Sequence, residues 1–339
     1  MSSAVVTCLY EGWALDQPAA QNLVHAGVLS WHAAQDRGVV VPLATIVSAS
    51  TPLFEVLDEH TGARVWAPVS TVRGPDTRMG FRDVGLGARL AHRDSVVAAQ
   101  WQEILTRTGP LPLFPLAQEG LLQGDDLHSR TTAANNTMVS WLRGDALARS
   151  LADDIEATPL FFLTLWMAAC SLALRAAESN SDTASTLVTR AGGNGETFGV
   201  CLASAPTEWV QVAATAPQGN LLQNVAQDAA VCGAIGDSAV IDFLGFGGQR
   251  LAQSPEPLEV LKEFLPTGYA QLPTQLLVAQ HPAFISQRVG MDARTVVATG
   301  ASPLVALAMI GADGQKGFLG RGVYRPPLAL FKKALHGRK

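Results

Sequence analysis

Charge is scarce in this chain, and positive charge scarcer still. Only 16% of its 339 residues are charged, and 24 Lys and Arg face 29 Asp and Glu, leaving a net charge of −5. A nucleic-acid partner needs a dense cationic face to displace counterions, and none is written here. The one basic cluster, Lys332, Lys333, His336, Arg338 and Lys339, ends the chain and reads as a solvated helix terminus that suits the helix dipole. Cysteine is equally sparse: Cys8, Cys170, Cys201 and Cys232 lie far apart with no CxxC pair, a pattern of a reducing compartment and not of a disulfide framework. Met1 to Leu15 lacks a cationic start and carries Glu11, so it does not read as a signal peptide, and a cytoplasmic location is expected. Long hydrophobic runs are confined to Pro159–Leu174. As a helix that run would reach about 24 Å, short of a hydrocarbon core of about 30 Å, so a buried central helix is expected and no membrane. Missing too are a GxxxxGK[ST] loop, an HExxH pair, a GxSxG elbow and zinc-like Cys/His spacing, and with seven scattered histidines no metal is expected.

What is present is apolar residues, at 48%, and 31 glycines. Such a length and composition allow two or three packed units of the α/β class, α+β in type. Residues 1–119 mix β-branched runs with turns: Val39–Val47 and Ala63–Val69 predict strands, Gly74-Pro75-Asp76 a turn, and Ser95–Leu105 a helix with Val96, Val97, Trp101, Ile104 and Leu105 toward one side. Residues 120–180 predict a helical domain, with Asp125 or Asp126 capping a helix through Leu142 and Asp153 or Asp154 opening another. A polar linker, Glu178–Thr183, leads into a glycine-rich C-terminal domain, 181–339, expected to hold a mixed sheet. Its strand-like runs are Thr186–Thr189, Phe198–Ala203 and Glu208–Ala213, with a helix near Glu256–Phe264.

Four stretches carry groups suited to chemistry on a small anion. On a helix, His128, Thr132 and Asn135 would form a polar stripe beside apolar Leu127, Ala134 and Met138, either bordering a cleft or simply facing solvent. Arg190-Ala-Gly-Gly-Asn-Gly-Glu-Thr-Phe-Gly199 has enough glycine for a nest of N–H groups around Gly193, Asn194 and Gly195, although a hairpin loop explains part of it. Asp237 and Ser238 stand where a helix would begin, as plain caps or as part of an anion site. Val296–Pro303 predicts a strand ending at Thr299-Gly300, followed by a glycine-rich loop from Gly311 to Gly322. Gly245-Phe-Gly247-Gly248 only superficially suggests a dinucleotide loop, because Arg250 stands where a third glycine belongs.

At these stretches the chain closely resembles the bacterial YlbE/AllG-like family, whose members include a subunit of oxamate carbamoyltransferase. The likeness starts near Leu9-Tyr-Glu-Gly12 and is strongest in Gly124–Arg130, Asn194–Gly199, Ile235–Ala239 with Gly245–Gly248, and Gly290–Arg294 through Val297–Gly300. There are departures. An N-terminal segment of longer members is missing, a His-Asp-His-Gly stretch aligns with Gln35-Asp-Arg-Gly38, an Asn-Asp-His stretch with Thr158-Pro-Leu160, and the acid of a Thr-Glu-Thr stretch is Asp242.

The resemblance implies an α/β fold with an inserted helical part, and work beside FdrA-like and AllH-like subunits that phosphorolyse oxalurate to oxamate and carbamoyl phosphate. Phosphate is then a co-substrate and no cofactor is needed. For that chemistry His128, Asn194 and Asp237 are the candidate catalytic groups. Arg130, Asn135, Gly193, Gly195, Ser238, Arg294, Thr299 and Gly300 are candidate binders of substrate or anion, with Arg190 a further cation able to hold a carboxylate or phosphate. Two alternatives stand beside it: a non-catalytic scaffold subunit and a stand-alone binder of a carboxylate metabolite. A homodimer is compatible with either. All four stretches are expected to converge on one water-poor pocket.

Overall fold

The computed structural model describes residues 1–74, 76–77, 85–180, 184–284 and 287–336. The expected turn at Pro75, part of the Glu178–Thr183 linker and the last three residues of the basic end therefore lie outside the described residues.

Two helices open the chain, Ser2–Tyr10 (α1) and Gln17–His25 (α2). Asp16 starts α2 by accepting the Ala19 N–H, with Pro18 in the first turn. They pair around Val5, Cys8 and Ala20, a small core of their own. Leu53–Leu57 (β1) and Arg64–Pro68 (β2) form an antiparallel hairpin. Leu86–His92 (α3) runs through a π turn, Arg93–Val97, into Ala98–Thr108 (α4). The expected helix is there, with Val97, Trp101 and Ile104 buried and Val96 on its outer side. Leu113–Leu122 (α5), Thr132–Arg143 (α6), Arg149–Glu156 (α7) and Phe161–Asn180 (α8) come next.

Helix α8 holds most of the long apolar run, and it runs through the core. Phe161, Phe162 and Trp166 are essentially inaccessible, each stabilising the fold by about 2 kcal/mol through burial. Phe161 meets Phe54 and stacks near Trp101, while Trp166 meets Phe114, Phe246 and Phe284. Among the described residues α8 is the one helix long and apolar enough to cross a membrane, and most of it is covered by protein.

The glycine-rich half supplies Val188–Asn194 (β3), Thr197–Leu202 (β4), Ala205–Ala213 (β5) and the two-residue Ile235–Gly236 (β6), in the order β5-β4-β3-β6. Then come Ala239–Leu244 (α9), a 3₁₀ stretch Gly247–Gln253, Pro255–Leu261 (α10), Leu272–Leu276 (α11) and a hairpin of Leu277–Gln280 (β7) with Arg288–Met291 (β8). Ala293–Thr299 (α12), a hairpin of Val305–Ile310 (β9) with Phe318–Tyr324 (β10), and Leu328–His336 (α13) complete the chain. The fold is mixed α/β, as expected, but every ladder between described strands is antiparallel, so the expected mixed sheet is corrected. A single apolar cluster extends from Val40 to Ala334, packing the three sequence stretches on one another.

Several local expectations are overturned. Val39–Val47 is not a strand: Val40 and Val41 spend their N–H groups on the Trp66 carbonyl and the Asp237 carboxylate, and Pro42 interrupts the rest of the run. No helix starts at Asp125, since Asp126 draws the N–H groups of His128, Ser129 and Arg130 onto its own carboxylate and holds the chain in a loop until Thr132. Asp153 and Asp154 lie inside α7 and open nothing. Val296–Thr299 is helical, because Asp292 accepts the Thr295 N–H as an N-cap and Gly300 closes the helix in the left-handed region at φ +66°. Gly311–Gly322 is likewise a turn and strand of the β9–β10 hairpin and not one long loop.

Candidate functional site

Two carboxylates build the loop between α5 and α6. Asp126 accepts the N–H groups of His128 at 3.0 Å and Arg130 at 2.8 Å on one oxygen, and the Ser129 hydroxyl at 2.6 Å on the other. Asp125 accepts the Ala134 N–H at 2.9 Å, capping α6 from outside the helix, and pairs with Arg130. Leu127, close by in the same loop, is forced to φ +68° and is wholly buried, a strained backbone held by its neighbours.

This loop delivers His128 to the interior. Its Nδ1 lies 2.7 Å from an Asp242 oxygen, and the pair is buried. Asp242 sits in the middle of α9, where its other oxygen accepts the N–H groups of Gly248 at 2.7 Å and Ala306 at 3.0 Å. The Gly247 N–H donates to the Asp126 carbonyl at 2.7 Å, closing the two motifs on each other. Gly247 adopts φ +54°, and a Cβ there would run into the Asp242 carboxylate and come within 2.8 Å of the His128 Cβ. Glycine is required because backbone lies directly against the pair.

Burial by itself would depress the His128 pKa, but the Asp242 charge, the hydrogen bond to it, and Asp126 beyond outweigh burial and push it up. Burial likewise pushes Asp242 up against the pull of His128 and two backbone N–H groups. Both directions state one fact: the pair keeps its proton more tightly than water would allow. With Nδ1 committed to Asp242, Nε2 makes no hydrogen bond among the described residues, and it is the ring atom left to act.

A second node surrounds Asp237. Its carboxylate accepts the Gln35 amide at 2.8 Å and the Val41 N–H at 3.0 Å, and burial raises its pKa to about 6 against those bonds, with Asp36 adding to the rise. Gln35 also donates to the Ala191 carbonyl, so the 35–41 segment is pinned onto β3 and the start of α9. Asp36 takes the Trp209 indole N–H at 2.9 Å and pairs with Arg190, which also meets Glu178.

The remaining candidates have structural partners or lie at the surface. Asn135 donates to the Ile155 carbonyl at 3.0 Å and accepts the Phe162 N–H at 3.2 Å, joining α6 to the start of α8. Asn194 is exposed and accepts the N–H groups of Glu196 and Thr197, the bonds of a hairpin turn completed by Gly195 at φ +90°. The nest is thus a hairpin, and Gly193 is a strand residue where a Cβ would strike the Ala234 carbonyl. Ser238, buried, precedes α9 without a side-chain capping bond. Arg294, Thr299 and Gly300 are exposed, and Gly300 stands at the carbonyl end of α12, which does not attract anions.

Among the described residues, one water-poor pocket holding all these groups is therefore not formed. The β3–β6 pairing sets Asn194 opposite Ile235 and leaves the Asp237 carboxylate beside Gly192, His128 and Asp242 are joined, and the 294–300 groups are exposed. A cleft of 480 Å³ beside Arg107 and Trp141, and one of 430 Å³ beside Phe264 and Met309, hold none of the candidates. Among the described residues no three His, Cys, Asp or Glu side chains gather as a metal site would require. Asp242, singled out in the sequence only as the acid aligned with a Thr-Glu-Thr stretch, is the partner of His128: its signal is a lone acid inside the apolar run Ala239–Leu244, next to three glycines.

The family of oxamate carbamoyltransferase subunit AllG matches residues 29–238, which include Gln35, His128 and Asp237. Escherichia coli (strain K12) AllG, an oxamate carbamoyltransferase subunit, is 26% identical over 98% of this chain and 83% of its own length. The uncharacterized protein YahG of the same organism is 24% identical over 99% of this chain and 75% of its own. A crystal structure of a conserved protein of unknown function from Enterococcus faecalis V583 superposes with a TM-score of 0.89 at 20% identity, covering 99% of this chain and 84% of that one. That last likeness shows the fold, while the match over 29–238 shows the kinship. The chain belongs to the family of oxamate carbamoyltransferase subunit AllG.

Proposed function

We propose that this chain is an AllG-like subunit of a carbamoyltransferase complex, working with FdrA-like and AllH-like partners on a small ureido-carboxylate such as oxalurate. Phosphate attacks the ureido carbonyl, the C–N bond to the leaving amide breaks, and carbamoyl phosphate and oxamate form. The leaving nitrogen must gain the proton that phosphate brings. His128, held protonated by Asp242 and with Nε2 unengaged, is the general acid in this reading. That pair carries the proposal, because a buried imidazole–carboxylate assembled by two separate sequence motifs serves proton transfer better than stability.

The exposed Asn194, Arg294, Thr299 and Gly300 support a site shared between subunits, where a partner's surface excludes the water that this chain alone leaves in contact. A scaffold role is favoured by one observation: Gln35, aligned with a family histidine, gives Asp237 an amide that cannot exchange protons in its place. Co-expression with FdrA-like and AllH-like proteins tests the proposal. The assembled complex is expected to form carbamoyl phosphate from oxalurate and phosphate. Failure of this chain to assemble, or an assembled complex without product, refutes it.

A further inference from the structure

The 3₁₀ stretch that starts at Gly247 carries a positive charge that no described residue neutralises. Arg93, Arg107, Arg130, Arg143, Arg190 and Arg321 each meet an Asp or Glu. Arg250 instead donates from Nη1 to the neutral Gln287 amide oxygen at 2.7 Å, and its Nε is buried without a partner. Gln287 is not free to turn away, since its own amide N–H groups are held by the Gly245 and Arg288 carbonyls. Burial weakens the guanidinium's grip on its proton, and no carboxylate offsets it. Two more buried polar atoms on this stretch and its end, Gln249 Oε1 and Ser254 Oγ, also lack partners. A desolvated cation beside unsatisfied polar atoms is unfavourable until something of opposite charge completes it.

The location is informative. Residues three apart on a 3₁₀ helix share a face about 6 Å apart. Gly247, which abuts His128, and Arg250 therefore lie on one side of the same short stretch. Phe246, packed against Trp166 and Phe284, backs the stretch with an aromatic floor.

We propose that residues 247–254 form an oxyanion receptor in which Arg250 takes a carboxylate or phosphate side-on through Nε and Nη2, the edge that Gln287 leaves open. A planar fork suits two oxygens of one anion, which a lysine ammonium cannot match. Anion binding stands independently of catalysis. Identifying the anion as the substrate's carboxylate, or as the phosphate co-substrate, rests on the function proposed above.

Calorimetric titration of the purified chain with oxalate and with inorganic phosphate tests this. One of them is expected to bind, with Arg250→Met weakening it about tenfold or more and Arg250→Lys weakening it less. Stronger oxalate binding assigns a carboxylate subsite, and stronger phosphate binding assigns the co-substrate. His128→Gln is expected to bind the anion as the unaltered chain does, so loss of turnover in that variant leaves the receptor standing. Equal affinity in Arg250→Met, or no binding of either anion at about 10 mM, overturns the proposal.

Discussion

Asp237 and Asp125 are carboxyls that burial makes reluctant to ionise, each raised to about 6. The folded chain therefore binds protons that the unfolded chain releases between about pH 4 and about pH 6. That contribution to stability is complete below the ordinary carboxyl range and is lost as pH rises through about 6. His128, also raised, acts with the same sign. The melting temperature is expected to be higher at about pH 5.5 than at about pH 7.5, with Asp237 contributing on the order of 1 kcal/mol across that interval. Asp237→Asn should flatten this dependence, as thermal melts across that range will show, and an unchanged slope would remove Asp237 as its cause. Gly247 makes the opposite kind of prediction, one of shape. Gly247→Ala places a methyl against the His128–Asp242 pair at φ +54° and is expected to cost about 2 kcal/mol or more, read as a lower urea midpoint.

At the level of elements, the strongly patterned pieces are legible in the sequence, and the ambiguous ones are decided by side chains capturing backbone. The run Pro159–Leu174 lies largely in α8, and the hairpin strands near 188–213 track their β-branched runs, because length and periodicity leave one option for burial. Val296–Thr299 looks like a strand by composition. Yet Asp292 and Gly300 bracket a two-turn helix, and caps outweigh the small β preference of valine. Asp292→Ala should release the Thr295 N–H and destabilise by about 1 kcal/mol, measured by chemical denaturation. The stretch Gly124–Arg130 misleads for the same reason, since Asp126 satisfies three residues' N–H groups without any helix. His128 is still found, because its motif is readable even though its local conformation is not. Its pairing with Asp242 is not, since the two residues lie 114 positions apart and nothing between them announces that they meet.

For the molecule as a whole, one apolar cluster binds the N-terminal hairpin, the α5–α8 helices and the glycine-rich half into a common core. The His128–Asp242 pair lies where the last two meet, so relative movement of those parts would be felt first at the pair. The exposed candidates at 194 and 294–300 lie at the surface while the His128–Asp242 pair is buried, so the described residues bring no convergent pocket together. The central claim is that His128 transfers a proton in the assembled enzyme. The direct measurement is steady-state carbamoyl phosphate formation by the complex rebuilt with His128→Gln. Turnover should fall by about a hundredfold or more while the subunits still co-purify; turnover equal to that of the unaltered complex would contradict it.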